Sequence, residues 1–393
     1  MAKFYLDNNK LELRINIPEN NLSVFTLKDP YRIVLDLKGV IGSNRNDFNN
    51  YKSFKEIYPG ISYRKFHLPG PVMVNVLDID LNDPMIDLKP LTAMPDNVLS
   101  KSNLNQFVQR YKGIAGINAS FFKPPTGLPL GALIVDGEYY TGPIFNRVAL
   151  VIDRYNRAYL DVIRLHAYCI IPGNIRLNIQ NINQPRLSTE GYMLYNSKWT
   201  SPVPKTLKNE LQIAVVQNKV IQKTTGALRV PENGYVITGP NKDAFKAIKV
   251  YDSIDIQVHT VSKVPNIKHA IGAGPYLLKE GNVYIDCASQ KFAFSPYTKD
   301  PRSAAGITAD NHLLLVTVDG RQKNSIGMSF HQLAHFMKSL GVVNAMNLDG
   351  GSSTQMSING KIVNNPTIRG GTPVSTAIIV KEAASFSIAN KYP

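Results

Sequence analysis

The chain has 393 residues, 44% apolar and 19% charged, the proportions of a folded globular protein with room for two or three domains. Its 44 basic and 29 acidic residues leave a formal net charge of +15, which attracts polyanions unless it only keeps a solvated surface soluble. The basic residues form no long Lys/Arg block and no basic-aromatic stripe, which argues against a nucleic-acid partner. No apolar run approaches the roughly 20 residues that a transmembrane helix needs, so no transmembrane segment is expected.

In chain order, alternation over residues 11–15 and 31–37 predicts short strands, and a polar Asn/Ser stretch from Gly42 to Lys52 predicts a linker. Residues 1–50 are therefore expected to form a small all-β segment with its linker, and 51–393 the main domain. The start, Met1-Ala2-Lys3-Phe4-Tyr5, has no apolar stretch of signal-peptide type, as expected of a cytoplasmic protein or one whose export signal has been removed. Strands are predicted at 72–79, 114–119, 133–135 and 149–152. Asp136-Gly137 signals a tight hairpin turn. Residues 154–264 read as a strand-rich middle region, with turns at Pro172-Gly173 and Asn233-Gly234. Cys169 and Cys287 could be one disulfide or two buried thiols.

The C-terminal third is the most legible. Residues 312–318 are an apolar run of the kind covered on both faces, stopping at Asp319-Gly320-Arg321. Ser329 with Gln332 predicts a capping box, Leu333, Met337 and Leu340 one face of a helix, and Gly341 its end. Residues 342–348 are the next strand, stopping at Asp349. The fold class expected is α+β: a mixed, β-rich sheet domain with a C-terminal strand–helix–strand unit whose two strands are parallel near neighbours. Such a unit presents Asp319 and Asp349 at one edge of the sheet. Ligands of α/β sheets collect at that edge. Either aspartate alone reads as an ordinary Asp-Gly turn, but the pair points to a site.

Asp349-Gly350-Gly351-Ser352-Ser353-Thr354 is the sharpest motif. Paired glycines let backbone amides approach an anion, the serines can donate to phosphate or sugar oxygens, and the carboxylate can act as base, nucleophile or ligand. The competing reading is a tight turn into the hairpin predicted by Asn359-Gly360, a hairpin that excludes a nucleotide P-loop. Arg302, in Asp300-Pro301-Arg302-Ser303, suits capture of a phosphodiester or else a rim salt bridge. Arg369 is a second cation of that kind. Asn118 and Ser120 end another strand, where they could reach a sugar. The Gly272-Ala273-Gly274 run lacks the third glycine of a dinucleotide site and suits close backbone packing instead. His331 and His335 have zinc-ligand spacing, but Gln332 stands where a zinc peptidase has its glutamate. The carboxylates could share a divalent cation, calcium or magnesium, although no ligand cluster demands one.

These segments together resemble the phosphodiester glycosidase family, over roughly residues 60–385. The resemblance rests on Gly116-Ile117-Asn118-Ala119-Ser120-Phe121-Phe122, Ala270-Ile271-Gly272-Ala273-Gly274-Pro275, Arg302-Ser303-Ala304-Ala305-Gly306, Val318-Asp319-Gly320-Arg321 and the block around Asp349, with support from Asn183-Gln184-Pro185-Arg186. It implies hydrolysis of a sugar-1-phosphodiester of the N-acetylglucosamine type, acting on a sugar-phosphate or anionic glycan. It maps the active-site region onto Asn118, Arg302, Asp319, Arg321, Asp349, Gly350, Gly351, Ser352 and Ser353. Ser352 stands where many members have a third glycine, and Thr372 where many have an arginine, with Arg369 three residues earlier. The residue expected to carry the chemistry is Asp349, followed by Asp319, with Arg302 on the phosphate. Residues 29–37 resemble the signature of AMIN domains, which implies peptidoglycan as a partner and a bacterial protein exported to the periplasm or envelope. The alternative function is a non-catalytic envelope module that binds anionic cell-wall glycans.

Overall fold

A computed structural model of the chain describes residues 54–383 and, within the first 53, the backbone of four strands. Those four pair as two antiparallel hairpins, Ala2–Asp7 with Lys10–Ile15 and Leu22–Leu27 with Arg32–Leu37. The rest of the AMIN-like stretch, including Asp29 and Pro30, lies outside the described residues. The chain divides into two units at Ser53/Phe54.

The second unit is predominantly β-sheet with few helices. Its eight-stranded sheet runs Asn282–Val283, Tyr276–Lys279, Val342–Asn347, Arg302–Thr308, His312–Val318, Val72–Asp80, Ile61–Leu68 and Lys55–Tyr58, every neighbouring pair antiparallel. The sheet is therefore not the mixed one expected from the strand–helix–strand pattern. His312–Val318 and Val342–Asn347 do run in the same direction, but Arg302–Thr308 lies between them, antiparallel to both. A short turn at Asp310-Asn311 folds Arg302–Thr308 directly onto His312–Val318, so the position beside that strand is filled before the helix returns the chain.

Helix Phe330–Ser339 packs on one face of this sheet through Leu333 and Met337, both fully buried. Its N-terminus carries the capping box: Ser329 Oγ accepts from the Gln332 amide at 3.2 Å, and Gln332 Oε1 accepts from the Ser329 amide at 3.0 Å. Replacing Ser329 by alanine orphans one helix N–H and should cost about 1 kcal/mol, measured by urea unfolding. An unchanged midpoint would show that neighbouring contacts hold the helix without its cap.

The sheet's other face packs on a five-stranded sheet, Lys361–Ile362, Met356–Ile358, Ala115–Asn118, Thr376–Glu382 and Ile86–Thr92. A second five-stranded sheet contains Leu133–Val135, Val148–Asp153 and Ile267–Gly272. Leu133, Val135, Val148, Leu150 and Ile152 join the core of the first two sheets. The alternating Ala132, Ile134, Ala149 and Val151 join a core with the seven-stranded sheet of the middle region. Period-two side chains on a strand buried on both faces produce these continuous apolar runs. Gly272 donates its amide to the Ala132 carbonyl at 2.7 Å, the close backbone packing expected of its motif. Cys169 and Cys287 are free thiols in different cores.

Candidate active site at the edge of the eight-stranded sheet

The block after Val342–Asn347 is held by three strand ends. Leu348 donates its amide to the Ser303 carbonyl and Asp349 its amide to the Ala119 carbonyl, each at 2.8 Å. Asn118, fully buried, clips these ends together. Its amide group donates to the Asp349 carbonyl, while its Oδ1 accepts from Ser303 Oγ at 2.7 Å and the Gln355 amide at 3.0 Å. Asn118 thus positions the Asp349 turn, and its side-chain hydrogen bonds all go to protein. Gly350 lies against Arg302, and a Cβ there would come within 2.9 Å of the Pro301 carbonyl oxygen. Gly351 has φ +61° and opens the 3-10 turn Gly351–Ser353. The nest expected from the glycines is not free. Gly351 donates its amide to the Pro301 carbonyl at 2.9 Å, and the Gly350 amide serves the Asp349 carboxylate.

Asp349 keeps part of its surface open while protein surrounds its carboxyl. Burial pushes this group up to about 7, against hydrogen bonds from Ser353 and the Gly350 amide that favour the ionised form. Asp319 differs. It is 1% exposed, and its Oδ1 accepts from Asn364 Nδ2 at 3.1 Å and the Asn365 amide at 3.0 Å. Its Oδ2 has no hydrogen-bond partner, and burial raises its carboxyl above the ordinary value. The two aspartates share the sheet edge as expected, but only Asp349 reaches solvent.

Arg302 is 7% exposed and turned toward the helix side. Its guanidinium lies 4.1 Å from the Phe330 ring centroid and donates to the Met328 and Thr298 carbonyls. Burial lowers it to about 10. Strand alternation explains the direction: Arg302 is the register partner of Val318, which faces that core. Arg321 is more accessible. Its Nε donates to Asp300 Oδ1 at 3.0 Å, and its terminal nitrogens stand within 3.8 Å of a Cβ built on Gly351. Asp300 also lies 4.0 Å from Arg302, so one carboxylate orients both arginines.

Ser353 is buried beside Asp349 and Ser352 is half-buried on the same turn. Ser120 is buried, its amide donating to Thr376 Oγ1 and its own Oγ without a hydrogen-bond partner. Arg369 is exposed and makes no hydrogen bond or ion pair to the described residues, so nothing draws it to the carboxylate. His331 stacks on Tyr297 with ring centroids 5.2 Å apart. Among the described residues no group of three or more His, Cys, Asp or Glu side chains is placed to hold a metal ion.

Residues not singled out by sequence complete the surroundings. Asn364 and Asn365 hold Asp319. Arg147, half-buried, lies 4.2 Å from the Phe292 ring centroid and 5.6 Å from that of Phe121, and no carboxylate among the described residues pairs with it. Burial lowers it to about 10. Asp300 could have been found from its spacing to Arg302. Arg147 carries no local signal, because its aromatic partners come from separate segments.

Comparison with known proteins agrees with this picture at the level of the domain. A Synechocystis hypothetical protein superposes with a TM-score of 0.74 at 24% identity, covering 97% of this chain and 71% of that one. A Burkholderia pseudomallei K96243 protein described as exported gives 0.67 at 22% identity, covering 79% and 74%. At these identities the likeness concerns the fold. The SPbeta prophage-derived uncharacterized protein YomE of Bacillus subtilis (strain 168) is 42% identical over 67 residues, 17% of this chain and 10% of its own length. The mouse N-acetylglucosamine-1-phosphodiester alpha-N-acetylglucosaminidase is 31% identical over 102 residues, 23% of this chain and 20% of its own length. The chain thus matches a tenth to a fifth of these curated relatives. Residues 209–381, which include Arg302, Arg321 and the Asp349 block, match the phosphodiester glycosidase family model, in line with the distant similarity to the mouse enzyme.

Proposed function

We propose that the domain hydrolyses a sugar-1-phosphodiester, of the N-acetylglucosamine type, with Asp349 as the group that moves the proton. The observation that supports this best is Asp349 itself: a residue with part of its surface open, its enclosed carboxyl raised to about 7, two positions before Gly351, over which the accessible Arg321 stands. A group near the working pH can both accept and return a proton. Arg321 would neutralise the phosphodiester and the charge that grows on it as the bond to C1 breaks. Ionised Asp349 would take a proton from water as its oxygen bonds to C1, and the bonding electrons would leave with the phosphomonoester. Phosphate is a good leaving group, so no strong acid is needed opposite the water. Arg302, Asp300, Asp319 and Asn118 would act as positioning residues. Location in the cell envelope, and peptidoglycan contact through residues 1–50, belong to the same proposal and rest on sequence resemblance.

Product analysis tests it. Incubation with UDP-N-acetylglucosamine and a panel of sugar-1-phosphodiesters should release free N-acetylglucosamine and a phosphomonoester. Sugar-1-phosphate plus an alcohol would instead place the break at P–O. Anionic-glycan binding with no turnover on any member would sink the catalytic reading in favour of a binding module.

A further inference from the structure

One cavity among the described residues lies away from the Asp349 turn, which does not line it. About 610 Å³ in volume, it opens where strands Ala158–Val162 and Tyr276–Lys279 meet the end of Asp255–Val261. Three tyrosines line it, Tyr159, Tyr276 and Tyr284. Tyr276 and Tyr284 stand nearly perpendicular, at 72° with centroids 5.9 Å apart, and Tyr284 is 42% exposed. Lys279 Nζ lies 5.4 Å from the Tyr284 centroid. Half-exposed aromatic faces with polar groups at their rim suit a ligand that has apolar C–H faces and a hydroxylated edge.

Charge decides which such ligand fits. Three cations line the cavity, Arg164, Lys263 and Lys279, and three carboxylates, Asp161, Glu280 and Asp286. Asp161 accepts from Ser262 Oγ at 2.5 Å and the Lys263 amide at 2.7 Å, and Asp286 from the Ser289 amide at 3.0 Å. Despite the chain's +15, the cavity is balanced and does not select a polyanion. Its wall is shared with the surroundings of the candidate site. Gln290 lines the cavity, its Oε1 accepts from the Val148 amide at 3.0 Å, and its carbonyl accepts from Arg147 Nε at 3.4 Å. Arg147 and Phe292 then pack against Phe121, just beyond Ser120.

We propose that this cavity is a subsite for a neutral sugar unit of a longer glycan whose phosphodiester is cut at Asp349, an assignment that rests on the function proposed above. It would let the enzyme distinguish an oligosaccharide from a lone sugar phosphate. Isothermal titration with chitotriose and maltotriose, against the full chain and its Asp349→Asn and Tyr284→Ala variants, tests it. At least one trisaccharide should bind saturably and equally to the full chain and to Asp349→Asn, about tenfold more weakly to Tyr284→Ala at unchanged thermal midpoint. If Tyr284→Ala fails to fold, Lys279→Ala, at an exposed position, should weaken binding at least threefold. Unchanged affinity in a folded variant, no saturable binding of either trisaccharide, or binding of polyphosphate in their place would overturn the assignment. Trisaccharide binding without hydrolysis of any phosphodiester would support the cavity and sink only the catalytic role of Asp349.

Discussion

Replacing Asp349 by asparagine should lower kcat/KM on an N-acetylglucosamine-1-phosphodiester by about a thousandfold, within the range for loss of a positioned acid–base group. The substitution keeps the shape of the side chain while removing its capacity to take a proton. The pH dependence sharpens the test. Burial raises the carboxyl to about 7, so if it acts as the base the wild-type rate climbs through that pH, and the residual rate of the variant does not. A rate that falls through pH 7 would make Asp349 the acid, and no limb at all would remove it from the chemistry. Stability should move the other way. A carboxyl raised in the folded state favours folding most fully below its unfolded value, and that contribution is lost as pH rises from about 4 to about 7. The variant has no such group to ionise, so it should unfold at a higher temperature than wild type at pH 8. A variant that is both inactive and less stable there would point to a structural role for Asp349.

The second large effect is expected far from the site. Arg186 and Glu210 form an ion pair of 2.7 Å with side chains 5% and 0% exposed. Arg186 also donates to Thr206 Oγ1 at 2.9 Å and to the Gly191 carbonyl at 3.0 Å, while Glu210 accepts from the Leu207 and Thr206 amides. One guanidinium thus ties together two connections of the seven-stranded sheet, residues 183–191 and 197–210. Arg186→Met would leave a carboxylate buried without its partner, a change that typically costs about 3–5 kcal/mol. Thermal and urea unfolding at pH 7 should show the loss, and adding Glu210→Leu should recover much of it. A single variant within about 1 kcal/mol of wild type would mean that the backbone amides alone sustain the buried charge. Desolvation opposes ionisation of Glu210, but the amides and Arg186 outweigh it and hold the carboxyl below its ordinary value. Its contribution is present above the unfolded value and is lost as pH falls through the lower folded one, so wild type should narrow its lead over Arg186→Met on acidification.

Much of the local structure was legible from residues alone. Asp136-Gly137 and Asn359-Gly360 both adopt the positive φ pairs that their tight hairpins require. Ser329 and Gln332 cap their helix reciprocally, and the apolar run of residues 312–318 is covered on both faces, Leu313 and Leu315 in one core and Leu314, Val316 and Val318 in another. The arrival of Asp319 and Asp349 at one sheet edge followed from two strands that point the same way. The strand between them was not legible, because the pairing of Arg302–Thr308 with Val342–Asn347 joins segments about 40 residues apart and leaves no periodic trace.

The site depended most on that missing information. Asp349-Gly350-Gly351-Ser352-Ser353 marks a place where backbone approaches backbone, and the chain alone determined that such a turn would follow a buried strand. Tertiary structure decided what the turn does. Pro301 engages the Gly351 amide, Arg302 turns toward Phe330, Arg321 stands over Gly351, and Asp319 is sealed by Asn364 and Asn365. Periodicity and turn chemistry act over about ten residues, so a sequence specifies local conformation and which stretches are buried. The face from which a side chain emerges depends on register between distant strands, and a shift of one residue would exchange Arg302 with Ser303 across the sheet.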